Sequence, residues 1–206
     1  MLKIKVCGLK YNILEISKLD IDFMGFIFYP RSPRFIGYNL ILPKINKLKV
    51  GVFVNENEKT ILTTSQKHKL DIIQLHGHES PQFCEKLAKN NITLIKVFHI
   101  NNSFSFQKTK DYVSLCHYFL FDTKTKYYGG SGKKFCWKKL YDYDLCTSFL
   151  LSGGIKMEDM IDIQNIFHLH PKMFGIDINS GFEKCPGKKN YTFIQHFIQQ
   201  IKKYKS

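Results

Sequence analysis

The sequence predicts an α/β fold, a compact single-domain (β/α)8 barrel (TIM barrel) spanning residues 1–206. Short β-rich runs alternate with polar stretches long enough for a helix or long loop. Each run is continuously apolar rather than alternating, as strands covered on both faces are. Eight such runs in 206 residues leave roughly 26 residues per unit, near the lower size limit of that barrel. Periodicity alone does not separate a closed barrel from an open doubly wound sheet, which stands as the alternative. No Pro/Ser/Gly-rich linker or composition break marks a second domain.

The strand runs are read in order. Lys3–Cys7 stops at Gly8, Phe23–Tyr29 at Pro30, and Lys49–Val54 at Asn55. Asp71–Leu75 stops at His76-Gly77, and Thr93–Phe98 follows. Tyr118–Asp122, Ser148–Leu151 and Met173–Ile176 complete the set. Among the intervening segments, Ser80 is an N-cap with Pro81 in the first helical position. Glu158–Phe167 and Tyr191–Tyr204 carry apolar residues at three- and four-residue spacing.

Composition bounds the function. At 44% hydrophobic and 15% aromatic, the chain can bury a core, which excludes a disordered class. The absence of an apolar run of helix-spanning length and of a secretory leader predicts a cytoplasmic protein without a membrane partner. Lys and Arg number 31 against 17 Asp and Glu, a net charge of +14. All but Arg31 and Arg34 are lysines, and they are scattered rather than striped. That pattern describes a solvated surface better than a nucleic-acid footprint, so no nucleic-acid partner is expected. The six cysteines are widely spread without a CxxC pair, which predicts free thiols. His76-Gly77-His78 and His168-Leu169-His170 have no Cys or His partner at finger-like spacing, so no metal is expected.

Several runs end in polar or glycine-rich tails, and strand C-termini are where parallel α/β folds bind ligands. Gly153-Gly154 and Ser180-Gly181 follow the seventh and eighth runs, where barrels usually hold phosphate on backbone N–H groups. Gly129-Gly130-Ser131-Gly132-Lys133-Lys134 lacks the Ser/Thr of a P-loop and the third glycine of a dinucleotide fingerprint. Arg34 offers a rigid fork suited to a substrate carboxylate, while Arg31 is equally suited to a loop salt bridge. Cys7 and Asp122, at two strand ends, are a candidate base and acid. Cationic neighbours are expected to lower the thiol towards working pH.

Taken together, Lys5-Val6-Cys7-Gly8-Leu9, Gly25–Arg34, Gly51–Asn55, Gln74–Gly77, Phe121–Lys124, Tyr128–Lys133, Leu151–Ile155, Asp177–Glu183 and Pro186–Lys189 occur in the order seen in one family. The chain resembles phosphoribosylanthranilate isomerase from residue 5 to residue 189. The resemblance implies a barrel that converts N-(5-phosphoribosyl)anthranilate to 1-(2-carboxyphenylamino)-1-deoxyribulose 5-phosphate in tryptophan biosynthesis. That reaction is an Amadori rearrangement with no metal or organic cofactor, carried out by a monomer or homodimer. It makes Asp122 the general acid at the furanose ring oxygen and Cys7 the base at ribose C2. Arg34 would grip the anthranilate carboxylate and the two glycine loops the phosphate, with His76 and Asp177 lining the site. The Tyr128–Lys133 loop would close over the substrate. Lys10, Cys136 and Asn190 depart from the usual pattern, and none of them falls on the acid, the base or the carboxylate grip.

Overall fold

The computed structural model describes residues 1–123 and 134–203. Its strands are β1 (Lys3–Val6), β2 (Phe23–Ile27), β3 (Leu48–Phe53), β4 (Ile72–Leu75), β5 (Thr93–Ile100), β6 (Tyr118–Thr123), β7 (Phe149–Leu151) and β8 (Met173–Ile178). They are parallel and close in chain order, β8 returning to β1 through the pairs Lys3–Gly175 to Val6–Ile178. That pairing excludes the open doubly wound sheet, which would leave β1 and β8 without their mutual ladder.

Helices α1 (Ile13–Ile16), α2 (Glu58–His68), α3 (Pro81–Ala88) and α4 (Met160–Leu169) join strands, and α5 (Tyr191–Lys203) follows the last of them. Short 3-10 segments, Phe106–Tyr112 and Trp137–Asp142, follow β5 and β6 instead. The expected start of α3 is present: Ser80 Oγ accepts from the Phe83 N–H at 3.2 Å, with Pro81 next to it. Beyond β8 lies a small antiparallel hairpin, β9 (Glu183–Cys185) and β10 (Lys188–Lys189), which the sequence reading did not anticipate. Two strands run two residues further than expected. β5 continues from Phe98 to Ile100 and β8 from Ile176 to Ile178, because pairing to β6 and β1 carries on past the apolar stretch.

Both strand faces are buried, as the apolar runs imply. The outward set, including Val6, Phe26, Phe53, Leu75, Phe121, Leu151 and Ile176, meets Ile61, Leu87, Ile163, Ile194 and Phe197 of the helices. The inward set Phe23, Val50, Ile72, Ile95, Val97, Leu120 and Leu150, with Tyr118 and Phe174 against it, forms a separate floor inside the barrel. Truncating a fully buried ring such as Phe121 to Ala would cost about 3–5 kcal/mol.

From that floor the two-residue strand period dictates what stands above it. Ile72 leads through Gln74 to His76, Val97 to His99, Leu120 to Asp122, and Leu150 to Ser152. A bulge where Phe149 pairs with Met173 but Leu150 with Gly175 lets Phe174 join the floor and still turns Asp177 inward. The polar mouth of the barrel is thus a register consequence of its apolar base. Among the described residues no helix is long and apolar enough to cross a membrane.

Candidate active site

Cys7 follows β1, its N–H bonded to the Ile178 carbonyl at 2.9 Å, so the first and last strands hold it jointly. Lys5, fully buried two residues earlier on the same face, places Nζ 2.9 Å from Asp177 Oδ1 and interacts with the Cys7 thiol. A Cβ on Gly25 would lie 2.8 Å from Cys7 Sγ and 3.0 Å from Lys5 Nζ, so glycine there leaves room for both. Burial opposes the Lys5 charge, yet Asp177 and Cys7 outweigh it and hold the ammonium above its usual value. For Cys7 the balance falls the other way. Burial pushes the thiol up, Lys5 and Lys189 pull it down, Asp177 pushes it up again, and the net shift is upward. The expectation that cationic neighbours bring the thiol towards working pH is therefore corrected: the cations are present, and desolvation prevails over them.

Arg34 lies across Gly8, where a Cβ would come within 2.6 Å of both Arg34 Cδ and Asn179 Oδ1. Gly8 has φ +74°, so this position excludes side chains on two counts. The Arg34 fork engages Glu183, Nε at 3.0 Å from each carboxylate oxygen and Nη2 at 2.6 Å from Oε2. Lys189, buried on β10, donates to Asn179 Oδ1 at 2.7 Å and Glu183 Oε1 at 2.8 Å. Burial lowers the Lys189 ammonium to about 8 despite Glu183. Burial likewise opposes the Glu183 charge, but Arg34 and Lys189 hold its carboxyl below the usual range. The β9–β10 hairpin thus buttresses the guanidinium from behind. Arg31, by contrast, is exposed.

The opposite wall carries Asp122. Its Oδ1 accepts from the Thr123 N–H at 2.8 Å, and Oδ2 lies 3.5 Å from His76 Nε2. His76 Nδ1 meets the Gln74 amide at 3.0 Å. His99 is the direct register partner of Asp122 and rests its Nε2 on the His76 carbonyl at 3.2 Å. Burial and then the neighbouring His76 push His99 down to about 4, a neutral imidazole at pH 7. Burial disfavours the Asp122 carboxylate, but the hydrogen bond and charge of His76, with His99 and the Thr123 N–H, hold it below the usual range.

The two glycine loops adjoin. A Cβ on Gly181 would strike the Ile155 carbonyl, and one on Gly153 would strike Thr123 Oγ1 and approach Asp122 Oδ1 to 3.0 Å. Gly153 and Gly154 have φ +92° and +66°. Ser180 and Gly181 lie in a 3-10 turn following β8. Ser152 Oγ is 3.4 Å from Asp177 Oδ2, tying the β7 loop to the Cys7 side. The Tyr128–Lys133 loop lies outside the described residues.

The residues expected from sequence to act on or bind the substrate stand at this C-terminal rim: Cys7, Arg34, His76, Asp122, Gly153, Gly154, Asp177, Ser180 and Gly181. Sequence reasoning missed Lys5, His99, Glu183 and Lys189 as contributors. Counting residues of one parity upward from the barrel floor would have found Lys5 and His99, had the β5 run been extended. Glu183 and Lys189 required the hairpin.

A family description, N-(5'phosphoribosyl)anthranilate (PRA) isomerase, matches residues 3–200. The chain belongs to that family. It is an isomerase of tryptophan biosynthesis. The N-(5'-phosphoribosyl)anthranilate isomerase of Parabacteroides distasonis is 45% identical over 206 residues, covering 96% of this chain and 92% of the relative. The crystal structure of the Thermotoga maritima isomerase superposes with a TM-score of 0.83 at 32% identity, over 98% of this chain and 100% of the other. A phosphoribosyl anthranilate isomerase in complex with reduced 1-(o-carboxyphenylamino)-1-deoxyribulose 5-phosphate gives 0.82 at 30% identity, with 98% and 100% coverage. Within this rim Cys7 follows β1 and Asp122 lies on β6.

Proposed function

We propose that the chain converts N-(5-phosphoribosyl)anthranilate to 1-(2-carboxyphenylamino)-1-deoxyribulose 5-phosphate with Asp122 as acid and Cys7 as base. The observation that carries this reading is the separation of two ionisable centres on opposite walls of one barrel mouth. Cys7 lies against Lys5 and Asp177, and Asp122 lies against His76.

Asp122, once it has taken up a proton against the pull of His76, donates it to the furanose ring oxygen as the C1–O bond breaks, and the anilino nitrogen lone pair forms the imine. Cys7, as thiolate, takes the proton from C2; the electron pair left at C2 forms the C1–C2 double bond and the imine pair returns to nitrogen. The enolamine then tautomerises to the ketone. Lys5 and Lys189 are the cations that favour the thiolate against desolvation. Arg34, held by Glu183, presents its guanidinium to the anthranilate carboxylate, a charge-assisted contact. The Gly153-Gly154 and Ser180-Gly181 loops receive the phosphate on their backbone N–H groups. The working unit is a single domain over residues 1–206, a cytoplasmic monomer or homodimer acting on a small molecule.

A fluorescence time course tests this with freshly generated phosphoribosylanthranilate. Rapid loss of anthranilate-type emission, with the carboxyphenylamino deoxyribulose phosphate as product, is the expected result. Folded protein giving no conversion above the blank would overturn it.

A further inference from the structure

We propose that His76, His99 and Asp122 form an inhibitory binding site for a borderline divalent transition ion, of which Zn²⁺ is the best match. One nitrogen from each imidazole and one Asp122 oxygen lie within 4.8 Å of one another, and the group is partly open to solvent. Two imidazoles and a carboxylate are a zinc donor set, with a fourth position left for water. Metal–ligand distances of about 2.0–2.2 Å put tetrahedral donor atoms about 3.3 Å apart. His76 Nε2 and Asp122 Oδ2 already stand at 3.5 Å, and no donor pair exceeds 4.8 Å, so side-chain rotations that close the wider gaps by up to about 1.5 Å separate the present arrangement from a coordinating one.

The supports behind the donors match those of metal-binding histidines, whose second ring nitrogen rests on a carbonyl or amide. His99 rests Nε2 on the His76 carbonyl at 3.2 Å. His76 turns Nδ1 to Gln74, whose buried Oε1 has no hydrogen-bond partner as oriented. Rotating that amide by half a turn therefore breaks no bond of Oε1. It presents an acceptor to Nδ1–H and leaves the Nε2 lone pair facing Asp122. The pairing of β5 with β6 fixes two donors, since His99 and Asp122 are register partners, and His76 projects from the end of neighbouring β4. Donors on three adjacent strands are invisible to spacing rules that look for ligands close in sequence.

Coordination would occupy the carboxylate assigned as the acid, so bound metal stops turnover; this consequence rests on the proposed role of Asp122, while the binding itself does not. Metal-free protein is titrated with Co²⁺ without substrate, and isomerase activity is followed separately against Zn²⁺. The expected spectrum is a visible d–d band without a thiolate-to-cobalt charge-transfer band, bleached by Zn²⁺ and abolished in His99→Ala and in His99→Gln. Both variants are checked for fold by circular dichroism, and His78→Ala retains the band. Half-inhibition by Zn²⁺ should need at least about tenfold more metal in the His99 variants. No d–d band, a charge-transfer band from cysteine, or a band unchanged in a folded His99 variant would overturn the site. Metal binding in a protein without isomerase activity would instead count against the catalytic reading alone.

Discussion

Lys5 Nζ and Asp177 Oδ1 meet at 2.9 Å although 172 residues separate them in sequence. The ammonium is fully buried and also interacts with Cys7. A buried cation in contact with one carboxylate and one thiol couples the protonation of the thiol to an ion pair, so Lys5 is a positioning and tuning residue.

Lys5→Met is expected to raise the Cys7 thiol further, because the positive charge that pulls it down is gone. The check is the pH dependence of Cys7 alkylation, read on the Cys7 peptide by mass spectrometry. In the unaltered protein the midpoint should lie above the ordinary thiol value of about 8.5, and in the variant higher still. The stranded Asp177 should also reduce stability by about 3–5 kcal/mol in urea melts.

Cys7→Ala should lower kcat by at least about 100-fold, the contribution of a positioned base, while binding of a product analogue stays within a few-fold. Undiminished turnover would remove Cys7 from the mechanism.

For Arg34→Ala the expected effect is on substrate binding, weaker by about 1–3 kcal/mol. Because Arg34 is buried against Glu183, the change also leaves that carboxylate with Lys189 as its remaining cation, beside the Gly187 N–H. Arg34→Lys keeps the charge but not the fork, and should recover stability more than affinity. A calorimetric titration paired with a thermal melt separates the two effects.

Glu79 and Lys96 form another buried pair, 2.9 Å apart, outside the barrel mouth. Lys96 also donates to the Gly77 carbonyl at 2.9 Å, anchoring the loop that carries His76. Burial opposes ionisation of Glu79, but Lys96 and the Asn55 N–H hold its carboxyl below the usual range. With the folded value depressed, the pair's contribution is fully present above the unfolded carboxylate value of about 4.3 and is lost as pH falls through the folded one. Glu79→Gln should therefore be less stable at neutral pH, and the gap should close on acidification. Urea midpoints measured from pH 7 down to pH 3 test the sign.

The strands and most of the rim were legible because apolar runs and polar tails are local signals. Cys7, Asp122 and the glycine loops declare themselves at strand ends. Lys5 did not, since a lysine inside an apolar strand reads as an exposed interruption until closure of β8 on β1 supplies Asp177. His99 was hidden for a related reason: the apolar run breaks after Phe98, yet the ladder to β6 continues to Ile100. Glu183 and Lys189 matter through a hairpin whose two short strands carry no apolar pattern. In each case the missing information was a pairing partner distant in sequence.

Closure of the barrel has a consequence for the order of synthesis. Cys7 leaves the ribosome well before its amide partner Ile178 and the anchor of its neighbouring lysine, Asp177, emerge. A nascent chain lacking the eighth strand would hold the Cys7 sulfur unframed beside an unpaired ammonium. Catalytic competence is therefore expected only after the final ladder has formed, and truncations before Asp177 should be inert however much of the remaining sheet they form.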